Sequence, residues 1–232
     1  MANSLSQARG NSEFKNISAG NPGFYCRVDY SGIYTPGYES SPACGLGSRQ
    51  AQALLGKFKS FIQEIMDWPL KITTMLKRYH VHHVNYVPDA IGEKLLRLMR
   101  EDKEFHLVPL TREEEGVGIS AGQAVCGVRP LLLMPTSGLG NALNAIASLP
   151  IPYRIPLPMI IGLRGGLGEF NAAQVTMGQA MPQILDAMRI PRFEINREDE
   201  VEVLTEGFLR VAYSTESPAA LILSTQLVGW KE

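Results

Sequence analysis

From residue 66 onward, apolar residues alternate between short unbroken runs and longer stretches with helical spacing, which predicts strands and helices in turn. The pattern gives a helix over 68–79, a strand over 83–87 ended by Pro88-Asp89, and an amphipathic helix over 90–100 that turns Ile91, Leu95, Leu98 and Met99 inward. A strand over 105–110 follows, then a helix opening at Thr111, a strand over 131–134 and a helix over 139–149. LPMIIGL (157–163) is apolar throughout, as a strand covered by helices on both faces must be. A loop over 164–174 leads to a helix over 177–188; a strand over 192–195, a helix over 198–215 and a strand over 219–224 complete the series. Six strands alternating with helices predict an α/β fold, one parallel six-stranded sheet with helices on both faces and right-handed crossovers. Ligands gather at the carboxyl ends of such strands. That rim would collect Pro88-Asp89 and the segments 111–115, 136–141 and 164–174.

The first third lacks this rhythm. Residues 1–65 read as an irregular extension, rich in Ser, Gly, Asn, Pro and Tyr as far as about residue 46. Within it, QAQALLGKFKSFIQEI (50–65) has one apolar stripe and reads as a helix that docks on the domain or on a partner. Met66 directly precedes the regular region and is an alternative start, so the domain proper is 66–232.

Composition narrows the partners. A net charge of −1 offers no basic face for nucleic acid or an anionic membrane. No apolar run approaches the roughly 20 residues of a membrane span, and no basic-then-apolar leader opens the chain. Three cysteines without a CxxC pair suggest neither a disulfide framework nor zinc, and a cytoplasmic protein is expected.

The densest chemistry lies in TREEEGVGISAGQAVCGVRPLLLMPTSGLGNALNAIASL (111–149). Thr111 and Glu114 have capping-box spacing, and Glu113, Glu114 and Glu115 complement a helix dipole. Successive side chains turn by about 100°, so at most one of the three glutamates faces a site. Ser137-Gly-Leu-Gly-Asn141 reads as a flexible turn into a helix whose free amides hold a phosphate or carboxylate, or as tight strand-to-helix packing. Arg164, after an apolar strand, stands where its planar fork would clamp an anionic group, or is an ordinary surface arginine. Glu169, Asn171 and Gln174 share its glycine-rich loop, which reads as a lid. His80, His82 and His83 are crowded, but His82 and His83 would point to opposite faces of a strand, which disfavours a metal site. Cys126 reads as a small core residue.

TREEEGVGISAG, MPTSGLGNALNAIASL and RGGLGEFNAAQVTMGQAMPQILDAM, in that order, resemble the pyrimidine-binding domain of the thiamine-diphosphate-dependent 2-oxo-acid decarboxylases. That group includes the α subunits of sulfopyruvate decarboxylase and the phosphonopyruvate decarboxylases. The resemblance covers about residues 68–228 and omits the extension. It implies that Glu113, nine residues before Gly122, hydrogen-bonds N1′ of the cofactor's aminopyrimidine, with Gly138, Leu139 and Asn141 also binding the cofactor. It further implies a small anionic 2-oxo acid, sulfopyruvate ahead of phosphonopyruvate, bound near Thr136, Ser137, Arg164 and Gln174. Where relatives often carry a histidine after the third strand, this chain has Met-Pro-Thr-Ser, so proton transfer there falls to Thr136, Ser137 or a partner chain. The family's diphosphate-binding domain carries a Gly-Asp-Gly motif absent from all 232 residues. The resemblance thus implies a β subunit that holds the diphosphate and Mg²⁺, with no metal ligand on this chain.

Overall fold

The apolar runs become the strands of a single parallel sheet. In the computed structural model, which describes residues 67–229, the strands are β1 (His83–Tyr86), β2 (His106–Pro109), β3 (Pro130–Pro135), β4 (Leu157–Gly162), β5 (Arg192–Ile195) and β6 (Pro218–Leu223). Every pairing is parallel, in the order β2-β1-β3-β4-β6-β5. The helices are α1 (Trp68–Arg78), α2 (Glu93–Glu101), α3 (Glu113–Val125), α4 (Thr136–Ser148), α5 (Ala172–Ala187), α6 (Val201–Ser214) and the one-turn α7 (Thr225–Val228). The expected extension over 1–65, its docking helix and Met66 lie outside the described residues.

Strand side chains alternate between faces, so the central strands feed two cores. Leu131, Leu133, Ile160 and Leu221 pack against α1, α2 and α6. Leu132, Met134, Ile161 and Ile222 pack against α3, α4 and α5. β3, β4 and β6 are buried from end to end, which is why their sequences carry no polar alternation.

Four local expectations change. α2 begins at Glu93, not at residue 90, so Leu96 takes the buried place expected of Leu98, which is half-buried. The capping box does not form: Arg112 is the N-cap of α3 without a side-chain bond, and the Thr111 N–H donates instead to Glu115 Oε2 at 3.1 Å. α4 starts at Thr136 directly after Pro135, so Ser137-Gly-Leu-Gly-Asn141 is helix, not a flexible turn. Cys126 is exposed at the end of α3 and is not a core residue.

The turn between β4 and α5 is packed without slack. A Cβ on Gly178 would stand 1.7 Å from the carbonyl oxygen of Arg164, so the helix lies flush on the loop backbone only because that position is bare. Gly178→Ala is expected to destabilise the chain by about 1–3 kcal/mol in urea unfolding. Gly118→Ala, which would add a methyl into open space within α3, is expected to raise stability by up to about 1 kcal/mol.

Candidate active site

The carboxyl ends of β1, β3 and β4 meet the start of α3 at one rim. Glu113 is the first residue of α3 and is 8% exposed. Its side chain occupies the space that a Cβ at position 138 would need: such an atom would lie 2.4 Å from Glu113 Cγ and Oε1. One turn further along α4, Asn141 Nδ2 donates to Glu113 Oε2 at 3.3 Å. The structure therefore brings together three of the residues singled out in the sequence, an acid, a bare helix turn and an amide that orients the acid. The neighbouring acids do other work. Glu114 pairs with Arg112, and Glu115 accepts from the Thr111 backbone.

The inclination of α3 is fixed from below by a residue the sequence reading passed over. Asn85 is fully buried in β1, and its amide nitrogen donates to Ser120 Oγ and Gln123 Oε1, both at 2.8 Å. Its Oδ1 is buried without a partner. The available signal was an amide between Val84 and Tyr86 in the strand HVNY, since buried polar groups need partners and so mark a fixed junction.

A second polar cluster lies beside the first and shares α4 with it. Thr136, wholly buried, accepts a hydrogen bond at Oγ1 from the Arg164 backbone N–H at 3.1 Å. The Arg164 guanidinium forks onto Glu169, with Nε to Oε2 at 2.8 Å and Nη2 to Oε1 at 3.0 Å. Its third nitrogen reaches Asp89 Oδ1 at 3.4 Å. Arg164 is thus not a free clamp: two carboxylates of this chain already neutralise it. Glu169 also accepts from the Gly165 and Asn171 backbone N–H groups, and Thr225 Oγ1 donates to the Leu167 carbonyl. These bonds fasten the loop at both ends. Arg164 holds the Glu169 carboxyl down at about 2, with the Gly165 and Asn171 N–H groups assisting against burial.

Of the remaining candidates, Leu139 is completely buried in the core beneath α4, and its side chain presents no surface at the rim. Ser137 is half-buried in the first turn of α4. Gln174 stands in the first turn of α5 with its Oε1 buried and unpartnered. The histidines lie elsewhere. His80, His82, His83 and His106 line a cavity of about 490 Å³ at the amino-terminal rim, where the His83 and His106 rings sit 4.8 Å apart across paired strands. Among the described residues no group of three or more His, Cys, Asp or Glu is placed to hold a metal ion. No helix among them is long and apolar enough to cross a membrane.

Two substitutions separate the clusters. Gly138→Ala is expected to expel the Glu113 side chain and lower stability by about 1–3 kcal/mol, whereas Gly140→Ala meets only the flexible end of Met177 and is expected to cost less. Glu169→Gln tests the second cluster through pH. Because the folded carboxyl titrates at about 2 against an ordinary 4.5, its contribution is complete above 4.5 and is lost as pH falls toward 2. Urea unfolding should find the wild type more stable than the variant at pH 7, by about 1–2 kcal/mol, and the gap should narrow at pH 3.

Several known proteins resemble this chain in sequence. The chain is 39% identical over 143 residues to sulfopyruvate decarboxylase subunit alpha of Methanococcus maripaludis, a match covering 62% of this chain and 86% of that protein. The same subunit of Methanocaldococcus jannaschii is 38% identical over 157 residues, 68% of this chain and 93% of that protein. Sulfopyruvate decarboxylase of Methanosarcina acetivorans is 33% identical over 157 residues, 68% of this chain but 40% of that protein. Phosphonopyruvate decarboxylases of two Streptomyces species match at 32% over shorter stretches. No family model matches the chain. With two relatives at 38–39% identity, each matched over most of its own length, the chain belongs to the family of the sulfopyruvate decarboxylase alpha subunits.

Proposed function

We propose that this chain is the pyrimidine-binding α subunit of a thiamine-diphosphate-dependent decarboxylase that converts 3-sulfopyruvate to sulfoacetaldehyde and CO₂. The observation that carries the reading is Glu113, a nearly buried acid bedded against a helix turn that has no Cβ at the carboxyl rim of a parallel sheet. A ring nitrogen that is to share a proton needs an acid at its edge, and Glu113 with Asn141 beside it fits the aminopyrimidine half of the cofactor. Thiamine diphosphate, when bound, supplies an electron sink for the pair left behind as CO₂ departs from a 2-oxo acid. Within this chain, Glu113 holds the proton shared with the aminopyrimidine N1′, Asn141 orients the carboxylate, and the bare turn at Gly138 keeps that carboxylate in place. In the net reaction one proton replaces the carboxylate at C2 of the substrate.

The other half of the cofactor does not fit this chain, which has no Gly-Asp-Gly motif for Mg²⁺ and the diphosphate. The reading therefore assigns both to a β subunit, consistent with relatives that are named as alpha subunits. Sulfopyruvate is favoured over phosphonopyruvate because the alpha subunits are matched over 86% and 93% of their length and the phosphonopyruvate decarboxylases over 25% and 22%. Ser137 and Gln174 remain the candidates for substrate contact at the rim. Arg164 would join them only by exchanging one of its carboxylates for the sulfonate. The reaction is placed in the cytoplasm, in keeping with three cysteines that form no pairing pattern.

The test is Glu113→Gln in the assembled complex. Steady-state turnover of sulfopyruvate is expected to fall by about 10²–10⁴-fold, the usual worth of a positioned proton-transfer group, while assembly and thermal stability are unchanged. A variant that turns over as the wild type does overturns the assignment.

A further inference from the structure

The amino-terminal end of the sheet gathers a chemistry that the carboxyl rim does not use. The chain has four histidines, and all four, His80, His82, His83 and His106, line one cavity of about 490 Å³. His83 opens β1 and His106 opens β2, and the two are register partners. Arg129 lines the same cavity from the other side of β1, because it directly precedes Pro130, the partner of His83 on β3. Four imidazoles and a guanidinium thus open on one space, of a volume usual for a small-molecule site.

The acids around that space are already taken. Glu104 is the one carboxylate on its wall, and Lys77 Nζ pairs with it at 2.9 Å. Asp102, two residues earlier, pairs with the same lysine, which holds its carboxyl below the ordinary range. The rings are left to meet one another: His83 and His106 lie 4.8 Å apart, and His80 and His82 6.4 Å. His82 Nδ1 is buried without a partner. Arg129 gives one nitrogen to the Tyr79 carbonyl at 2.8 Å and lies over the Tyr213 ring, and no carboxylate among the described residues pairs with it. Like charges placed opposite one another on paired strands repel. Burial, with the charges of His106 and His82 added, accordingly pushes the His83 imidazole below its ordinary value. A metal ion would need three or more converging ligands, and no such group exists among the described residues. What the wall offers is donors, and the negative charge that would let neighbouring rings be protonated together must come from another molecule.

We infer that this cavity binds a small molecule through a dianionic phosphoryl group, held by His83, His106 and Arg129. A dianion standing between two imidazolium rings offsets both, whereas a monoanion offsets one. Its oxygens accept the charge-assisted hydrogen bonds for which the rings have no carboxylate at hand. Binding draws a proton onto the rings, so affinity is highest where histidine is readily protonated and falls as pH rises. The cavity lies at the opposite end of the strands from Glu113, and its ligand is independent of the reaction proposed above.

The test follows the ring proton signals of the four histidines in the full chain by NMR, with inorganic phosphate as the probe and sodium chloride of equal ionic strength as the reference. Phosphate should move the His83 and His106 signals saturably and raise the titration midpoint of His83. Sulfate, a dianion throughout the range, should bind about tenfold or more tightly at about pH 6 than at about pH 8, where the rings are neutral. Methanesulfonate, a monoanion of similar shape, should bind about tenfold or more weakly than sulfate at the lower pH. His83→Gln and His106→Gln should each weaken phosphate binding by about tenfold, the worth of one charge-assisted hydrogen bond. Arg210→Gln, exposed on α6, should leave it unchanged. The inference is overturned if chloride moves the rings as phosphate does, if methanesulfonate matches sulfate, if sulfate binding ignores pH, or if the histidine variants bind as the wild type does. It is equally overturned if Ni²⁺ saturates the rings while phosphate leaves them unmoved, or if the four signals respond to no anion because the cavity is closed in the full chain. A single-stranded oligonucleotide that displaces phosphate at far lower concentration would put nucleic acid in place of the small molecule, and so refute it too.

Discussion

A carboxylate bedded directly against the backbone of a neighbouring helix requires that the residue it meets there give up its side chain. Glu113 and Gly138 meet this condition: the acid fills the volume that any other residue at 138 would claim. The rest of the rim follows from that contact. α3 must descend toward β1 at the angle set by Asn85, Ser120 and Gln123, and α4 must begin immediately after β3 so that its first turn, not a loop, meets the acid. Thr136, in that same turn, then ties the β4–α5 loop to the helix through the Arg164 backbone. One close approach thus couples three strand ends.

Much of this was legible in the sequence because it is periodic. Unbroken apolar runs such as LPMIIG, too short for an ordinary helix, fit strands with both faces covered, and their alternation with helical spacing gives the parallel sheet. Glu113 could be named as well, although spacing alone could not choose it over Glu114 and Glu115; the resemblance made that choice, and the contact with Gly138 now distinguishes it physically. What the sequence hid were features decided by contacts distant along the chain. Glycine is ambiguous as a letter: the glycines of 137–141 and 164–168 read as flexibility, yet Gly138 makes room for the Glu113 side chain and Gly165 lets its loop lie against the α5 backbone. Arg164 read as a free cation because neither Asp89, 75 residues away, nor the geometry of Glu169 is visible locally. Asn85 was overlooked because a single amide in an apolar strand resembles noise until its partners on α3 are seen. Leu96 is buried in place of Leu98 because both flank the stripe through Leu95 and Met99, and spacing alone does not choose between them.

The paired charges at Asp89, Arg164 and Glu169 also bear on selectivity. A guanidinium that already has two carboxylate partners gives little to a weakly basic or neutral ligand, because any newcomer must match what it displaces. A permanently ionised group on the substrate is the kind of competitor that can. The same pairing keeps Glu169 from acting as a stray proton donor near the rim, since it stays ionised far below neutrality.

The loop that follows β4 has a further consequence. With Gly178 seated against the Arg164 carbonyl and Glu169 gathering two backbone N–H groups, the exposed Leu167 and Phe170 are carried on a stiff ledge. A surface that is already frozen loses little conformational freedom when something is laid on it. A molecule laid on this edge would accordingly meet a shape agreed in advance, like a key cut before the lock is met.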